Sequence, residues 1–207
     1  MAKDLGKQVD ANKRWAEALA ESNAQYSAGN AMQTAASCLV DLDNMAEAVS
    51  CFEQAVTHFR LGESEKSAGN ACLTCGKALE KKGDKDKAIQ YFDMAVKCYQ
   101  DGEALLHSRE CFDYLARVYI AAENWPKALE NFDHQINMGI AIDATAISCK
   151  AALSQCVVYL CTARYEQAKE REDELRAGKI DSWNTCTEKS YFRRLCARLI
   201  LTPTSQV

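Results

Sequence analysis

The pentad Ser27-Ala28-Gly29-Asn30-Ala31 returns 40 residues later as Ser67-Ala68-Gly69-Asn70-Ala71. A second landmark keeps the same interval: Ala48 in MAEAVSCFEQAV, Ala88 in KDKAIQYFDMAV, Ala128 in WPKALENFDHQI and Ala168 in RYEQAKEREDEL. Phe52, Phe92 and Phe132 share that register, as do Val56, Val96 and Ile136. A chain built this way must stack copies of one small unit, because a single unit cannot bury both of its faces.

Each unit reads as two helices. Over residues 64–82, Ala68, Ala71, Cys72, Cys75, Ala78 and Leu79 recur at helical spacing on one side. Lys81 and Lys82 fall in the last turn, where cations favour the helix dipole. Gly83-Asp84 makes the turn, with Asp84 as N-cap of the next helix. Residues 85–100 then direct Ala88, Ile89, Phe92, Ala95, Val96 and Tyr99 inward. Gly62, Gly102, Gly139 and Gly178 are expected to end the second helices of successive units, and Pro126 suits the first turn of a helix.

The expected fold is therefore all-α: a tetratricopeptide-like right-handed superhelix of antiparallel helix hairpins with a 40-residue period, longer than the usual period of about 34. The expected organisation is one helical-repeat domain over residues 1–207. It comprises a half-repeat at 5–22, repeats at about 23–62, 63–102, 103–142 and 143–182, and a capping helix at 187–201. The half-repeat puts Val9, Trp15, Ala16 and Leu19 in register with Val49, Ala55, Val56 and Phe59. The cap carries Tyr191, Phe192, Leu195, Cys196 and Leu199.

Composition agrees and narrows the function. Hydrophobic residues make up 48% of the chain, enough for a continuous core, and 2 prolines and 9 glycines are too few for a turn-rich β fold. A net charge of −4 argues against a dedicated nucleic-acid binder. No apolar run approaches bilayer length, and MAKDLGKQVDANKRW has no signal-peptide core, so a cytoplasmic location is expected.

The residues that carry chemistry elsewhere have plainer readings here. Cys72-x-x-Cys75 lies mid-helix without a second such pair, so packing is expected, and a metal or redox centre would need further ligands. His58, His107 and His134 are scattered, with no motif supplying a nucleophile. No glycine-rich phosphate loop is present, because the pentad lies within helices. No enzyme activity, cofactor or metal is expected. The mixed-charge run from Arg164 to Arg176 is expected to be a solvated helix face.

The outward stripe of the first helices is the candidate interaction surface. Ser67, Asn70, Thr74, Lys77 and Lys81 share it in one unit. Arg109, Glu110, Tyr114 and Arg117 follow in the next, then Lys150 and Ser154. Lys77, Lys81, Arg109, Tyr114, Arg117 and Lys150 are the candidate contacts for an acidic helical or extended partner. Lys189, Arg193, Arg194 and Arg198 form a second basic cluster near the C-terminal end.

The stretches KAIQYFDMAVKCYQDGE, ECFDYLARVYIAAENWPKALENFD and YEQAKEREDEL resemble the soluble NSF attachment proteins, of the gamma or alpha type. The resemblance implies a trafficking adaptor, peripheral to membranes, that grips SNARE helical bundles and recruits the ATPase NSF through its C-terminal end. The N-terminal apolar loop and the acidic, leucine-ended tail of that family have no counterpart in MAKDLGKQVDANKRW or LTPTSQV, so the expected relative is shortened at both ends. Ala-Gly-Asn at 28–30 and 68–70 also resembles the Leu-Gly-Asn motif of LGN-like polarity adaptors, which bind linear peptides. The third and fourth units lack it.

Overall fold

A computed structural model describes residues 2–175, together with Ala177, Thr187, Ser190, Tyr191 and Arg194. Most of the expected capping helix, and Gly178, lie outside the described residues. Within them the regular structure is helical, with no strand: α1 (Ala2–Glu21), α2 (Gln25–Asp41), α3 (Met45–Leu61), α4 (Glu65–Lys82) and α5 (Lys85–Asp101), followed by a 3-10 turn (Leu105–Ser108). Then come α6 (Arg109–Ala121), α7 (Trp125–Ala141), α8 (Thr145–Cys161) and α9 (Tyr165–Glu174). The first helices of the expected hairpins are α2, α4, α6 and α8, and the second are α3, α5, α7 and α9.

Two compact units divide the chain, Met1–Tyr114 and Leu115–Val207. In the first, α1 packs on α2, α2 on α3, α3 on α4 and α4 on α5. In the second, α7 packs on α8 and α8 on α9. Connections this short force neighbouring helices to run antiparallel.

The turns follow a beat half as long as the sequence repeat. Asn23, Asp43, Glu63, Gly83, Glu103, Glu123, Asp143 and Ala163 all have positive φ, between 52° and 86°. Each lies 20 residues from the next. The residue after each returns its N–H to a carbonyl five back, as Ala24 does to Leu19 at 2.8 Å and Arg164 to Tyr159 at 2.8 Å. That bond closes the last turn of the helix with a left-handed residue. Side-chain N-caps keep the longer period: Asn44, Asp84 and Asn124 accept from the N–H three residues on, at the starts of α3, α5 and α7.

This pattern corrects the expected role of the glycines. Gly62 and Gly102 do end α3 and α5, but Gly139 lies inside α7, which runs to Ala141 and closes on Ile142. A Cβ on Gly139 would meet Ser148 Oγ at 2.3 Å, so that glycine exists for the close approach of α8. Gly83 alone among these left-handed positions is a glycine, and a Cβ there would meet nothing within 4 Å. Gly83→Ala should therefore cost about 1 kcal/mol, through backbone conformation alone. Urea unfolding should show a lower midpoint at unchanged slope; no loss of stability would remove the argument.

The pentad has a packing explanation. Cβ atoms added to Gly29 and Gly69 would come within 2.8 Å of the Phe59 ring and 2.7 Å of the Tyr99 ring. Helices α2 and α4 thus lie directly on the aromatic residues at the ends of α3 and α5. Asn70, next in the pentad, accepts from the Tyr99 hydroxyl at 2.8 Å. In the third repeat position 139 is glycine rather than aromatic and position 109 is arginine, and there α6 is preceded by the 3-10 turn.

The expected inward residues mostly hold. Ala68, Ala71, Cys72, Cys75 and Leu79 are buried in α4, as are Ala88, Phe92, Ala95 and Tyr99 in α5. Ala78, Ile89 and Val96 are half-buried. In the second unit Phe132, Ile136, Ala152, Cys156, Ala168 and Leu175 form the centre of the core.

Candidate partner-binding surface

Because α4 presents one face to α5 and another to α3, its remaining positions face outward. Lys77 and Lys81, four residues apart, are exposed there. Asn70 and Thr74 continue the stripe half-buried, and the Thr74 hydroxyl donates to the Asn70 carbonyl at 2.8 Å. The same inward turn of a hydroxyl recurs at Thr34 on Asn30 and at Ser154 on Lys150. Thr34, Thr74 and Ser154 occupy one register of the repeat, and each settles its own donor on its own helix. None needs a partner to satisfy it.

The basic character expected of this stripe is reduced by pairing. Lys77 Nζ lies 2.6 Å from Glu110 Oε1, an ion pair joining α4 to α6. Both side chains are about half exposed, at 46% and 59%, so water screens the pair and it is worth roughly 0–1 kcal/mol. Arg109, also exposed, stands beside Glu110 in sequence.

A cleft of about 470 Å³ opens in this part of the first unit. Asn70 and Leu73 of α4 and Tyr99 of α5 line one side; Leu106 and His107 of the 3-10 turn, with Arg109, Glu110 and Asp113 of α6, line the other. The Tyr99 and His107 rings lie 5.8 Å apart, and burial pushes the Tyr99 phenol above its ordinary range. The lining mixes one guanidinium with two carboxylates around an exposed leucine. Such a floor suits the side of a polar helix or an extended peptide.

Tyr114 requires correction. The sequence stripe places it outward with Thr74 and Ser154, yet it is only 3% exposed. Its ring stacks on Phe92 at 4.0 Å between centroids and 27° between planes. A tyrosine reaches over the core where a threonine stays outside, so this residue packs and is not surface available to a partner.

In the second unit, Arg117 and Lys150 are exposed. Of the C-terminal cluster, Arg194 is exposed, with its guanidinium 4.7 Å from the Tyr191 ring centre. Lys189, Arg193 and Arg198 lie outside the described residues.

The cysteines and histidines settle elsewhere. Cys72 and Cys75 are both buried within α4, and burial pushes the Cys75 thiol up to about 12. His58 lies on α3, its Nδ1 2.8 Å from Gln25 Oε1, while His134 lies on α7. The three histidines are thus carried on three separate elements. Among the described residues no helix is long and apolar enough to cross a membrane.

These observations define a class: a helical-hairpin repeat protein whose outward features are charged helix faces and a shallow polar cleft. The family model described as "Soluble NSF attachment protein, SNAP" matches residues 1–199, and the chain belongs to that family. No curated protein matches it.

Proposed function

We propose that this protein is a non-catalytic adaptor of vesicle trafficking, which docks SNARE helical bundles on its first helices and recruits the ATPase NSF. The family match over residues 1–199 carries this reading. It is supported by a repeat whose first helices carry exposed Lys81, Arg109, Arg117 and Lys150. An acidic helical bundle is the complementary partner for such cations. The polar cleft beside Arg109 would take one side of a partner helix. Arg194, with Lys189, Arg193 and Arg198, is assigned to the NSF-facing end. The site of action is cytoplasmic and peripheral to trafficking membranes.

The test is binding of the purified protein to an immobilised SNARE four-helix bundle, with NSF added in a second step. The variant Lys81→Glu/Arg117→Glu/Lys150→Glu should bind about tenfold to hundredfold more weakly, with a flatter salt dependence. Lys77 is left out because Glu110 already pairs with it. Lys169→Glu, a reversal on the exposed side of α9, serves as the control and should bind normally. Equal binding by all three proteins would remove the proposed surface; no binding to the bundle by the wild type would remove the proposed function.

A further inference from the structure

Three helices of the first unit bring together a group that neither packing nor the proposed docking requires. Cys98 of α5 and Cys72 of α4 are both buried and lie near enough to influence each other's ionisation. From α3, Arg60 places Nη2 3.3 Å from Cys98 Sγ. Its Nε lies 3.4 Å from Glu65 Oε2, and its side chain is 44% exposed. The sulfur thus has a second thiol nearby and a guanidinium against it, and that guanidinium is partly exposed.

An arginine against a sulfur is a poor choice for packing alone, since a neutral thiol is a weak acceptor. It is the arrangement that stabilises a thiolate. The neighbouring Cys72 thiol and then Arg60, working against burial, hold the Cys98 thiol below its ordinary value. At Cys75 and Cys111 burial dominates and pushes the thiols up to about 12. The two sulfurs also sit on helices that approach closely, since the rings of Tyr99 and Phe92 lie against Gly69 and Gly76. Close helix packing of this kind is the setting in which a cross-helix disulfide can form.

We propose that Cys98 is an oxidant-sensitive thiol, and that hydrogen peroxide converts Cys72 and Cys98 into a disulfide tying α4 to α5. The Cys98 thiolate attacks one peroxide oxygen, the O–O bond breaks, and hydroxide leaves, giving the sulfenic acid. The Cys72 sulfur then attacks the Cys98 sulfur and the S–O bond breaks. The thiol proton and the departing hydroxyl form water. Peroxide is the oxidant, and it is small enough to enter as the half-exposed Arg60 side chain moves aside. Glutathione or thioredoxin-type dithiols would reverse the reaction by thiol exchange.

The test is site-resolved oxidation of the full chain. The protein is treated with graded peroxide, alkylated, reduced, alkylated again with a heavy isotope, and read cysteine by cysteine by mass spectrometry. Cys72 and Cys98 should become reversibly oxidised together and ahead of Cys75 and Cys111, with a cross-linked Cys72–Cys98 peptide before reduction. Arg60→Met should slow the oxidation of Cys98 about tenfold, its folding verified by circular dichroism. Cys98→Ser should leave Cys72 reduced. Oxidation of Cys98 no faster than that of Cys75 and Cys111, or unaffected by Arg60→Met, would overturn the proposal. So would pairing of Cys98 with any cysteine other than Cys72. Exposed Cys161 reports in the same sample that peroxide reached the protein.

Discussion

Phe92→Ala should lower the stability of the first unit by about 3–5 kcal/mol, the upper part of the range for core truncations. The cost follows from how little the surroundings can close. Phe92 is buried, and its ring is stacked on Tyr114 at 4.0 Å. Another wall is Gly76, whose absent Cβ would lie 3.0 Å from Phe92 Cε2. A glycine has no side chain to swing into the space, and α4 and α5 already touch there. The Tyr114 ring also loses its stacking partner, worth roughly 0.5–1.5 kcal/mol of the total. Since whole domains are stable by only about 5–15 kcal/mol, much of the variant should unfold at modest urea.

A second substitution separates packing from other causes. Alanine at position 76 gains about 1 kcal/mol of helix propensity wherever there is room for it. In the wild type the new methyl presses on the Phe92 ring and loses most of that gain. In Phe92→Ala it enters the void and keeps it. Gly76→Ala should thus be near neutral or harmful alone and stabilising in the double variant. Urea titrations of the four proteins measure the coupling directly. Equal effects of Gly76→Ala in both backgrounds would show that Phe92 is not packed as described.

The architecture was legible because its signals are periodic and local. Phe52, Phe92 and Phe132 recur where the core needs them, and Asp84 caps a helix for reasons contained in two or three residues. The left-handed turn positions were not legible. Asn23, Glu63, Glu123 and Ala163 follow no single residue type that marks a left-handed turn, and their backbone is set by the bond that closes each helix. Glycine is the usual signal for such a position, and here it marks one case of eight while standing at close helix contacts elsewhere. The surface was harder still. Lys77 and Glu110 are far apart in sequence, so their pairing appears only once α4 and α6 are placed. Tyr114 followed the outward register of Thr74 and Ser154, and its length carried it inward.

Arg171 combines both lessons, and its removal should cost about 2–4 kcal/mol. The sequence places it in a charged run on a solvated face, and most of α9 is exposed as expected. Arg171 is nevertheless buried, because it occupies the register of Cys51, Tyr91 and Asn131, which are buried in their own repeats. That register was available in the sequence, and it outranks the local charge pattern. From this slot the guanidinium joins three helices. Nε donates to Gln155 Oε1 of α8 at 2.8 Å, Nη2 to Asp133 Oδ1 of α7 at 2.7 Å, and Nη1 to Glu174 of its own helix at 2.7 Å. Asp133 and Glu174 are about half exposed, so each can return to water when the arginine is removed. Those two contacts are together worth about 1 kcal/mol. Gln155 cannot recover in that way. It is 1% exposed, and its amide nitrogen is committed to the Leu129 carbonyl at 3.0 Å. Its oxygen is left stranded in Arg171→Met, at a cost of about 1–3 kcal/mol. Adding Gln155→Met removes that acceptor, although it also deprives the Leu129 carbonyl of its donor. The double variant should therefore regain about 1 kcal/mol, the net of these two terms. Thermal or urea unfolding of the four proteins reads the outcome. If Arg171→Met is as stable as the wild type, the buried bond to Gln155 contributes nothing. If the double variant is no better than the single, the cost lies in lost packing of the arginine stem rather than in the stranded oxygen.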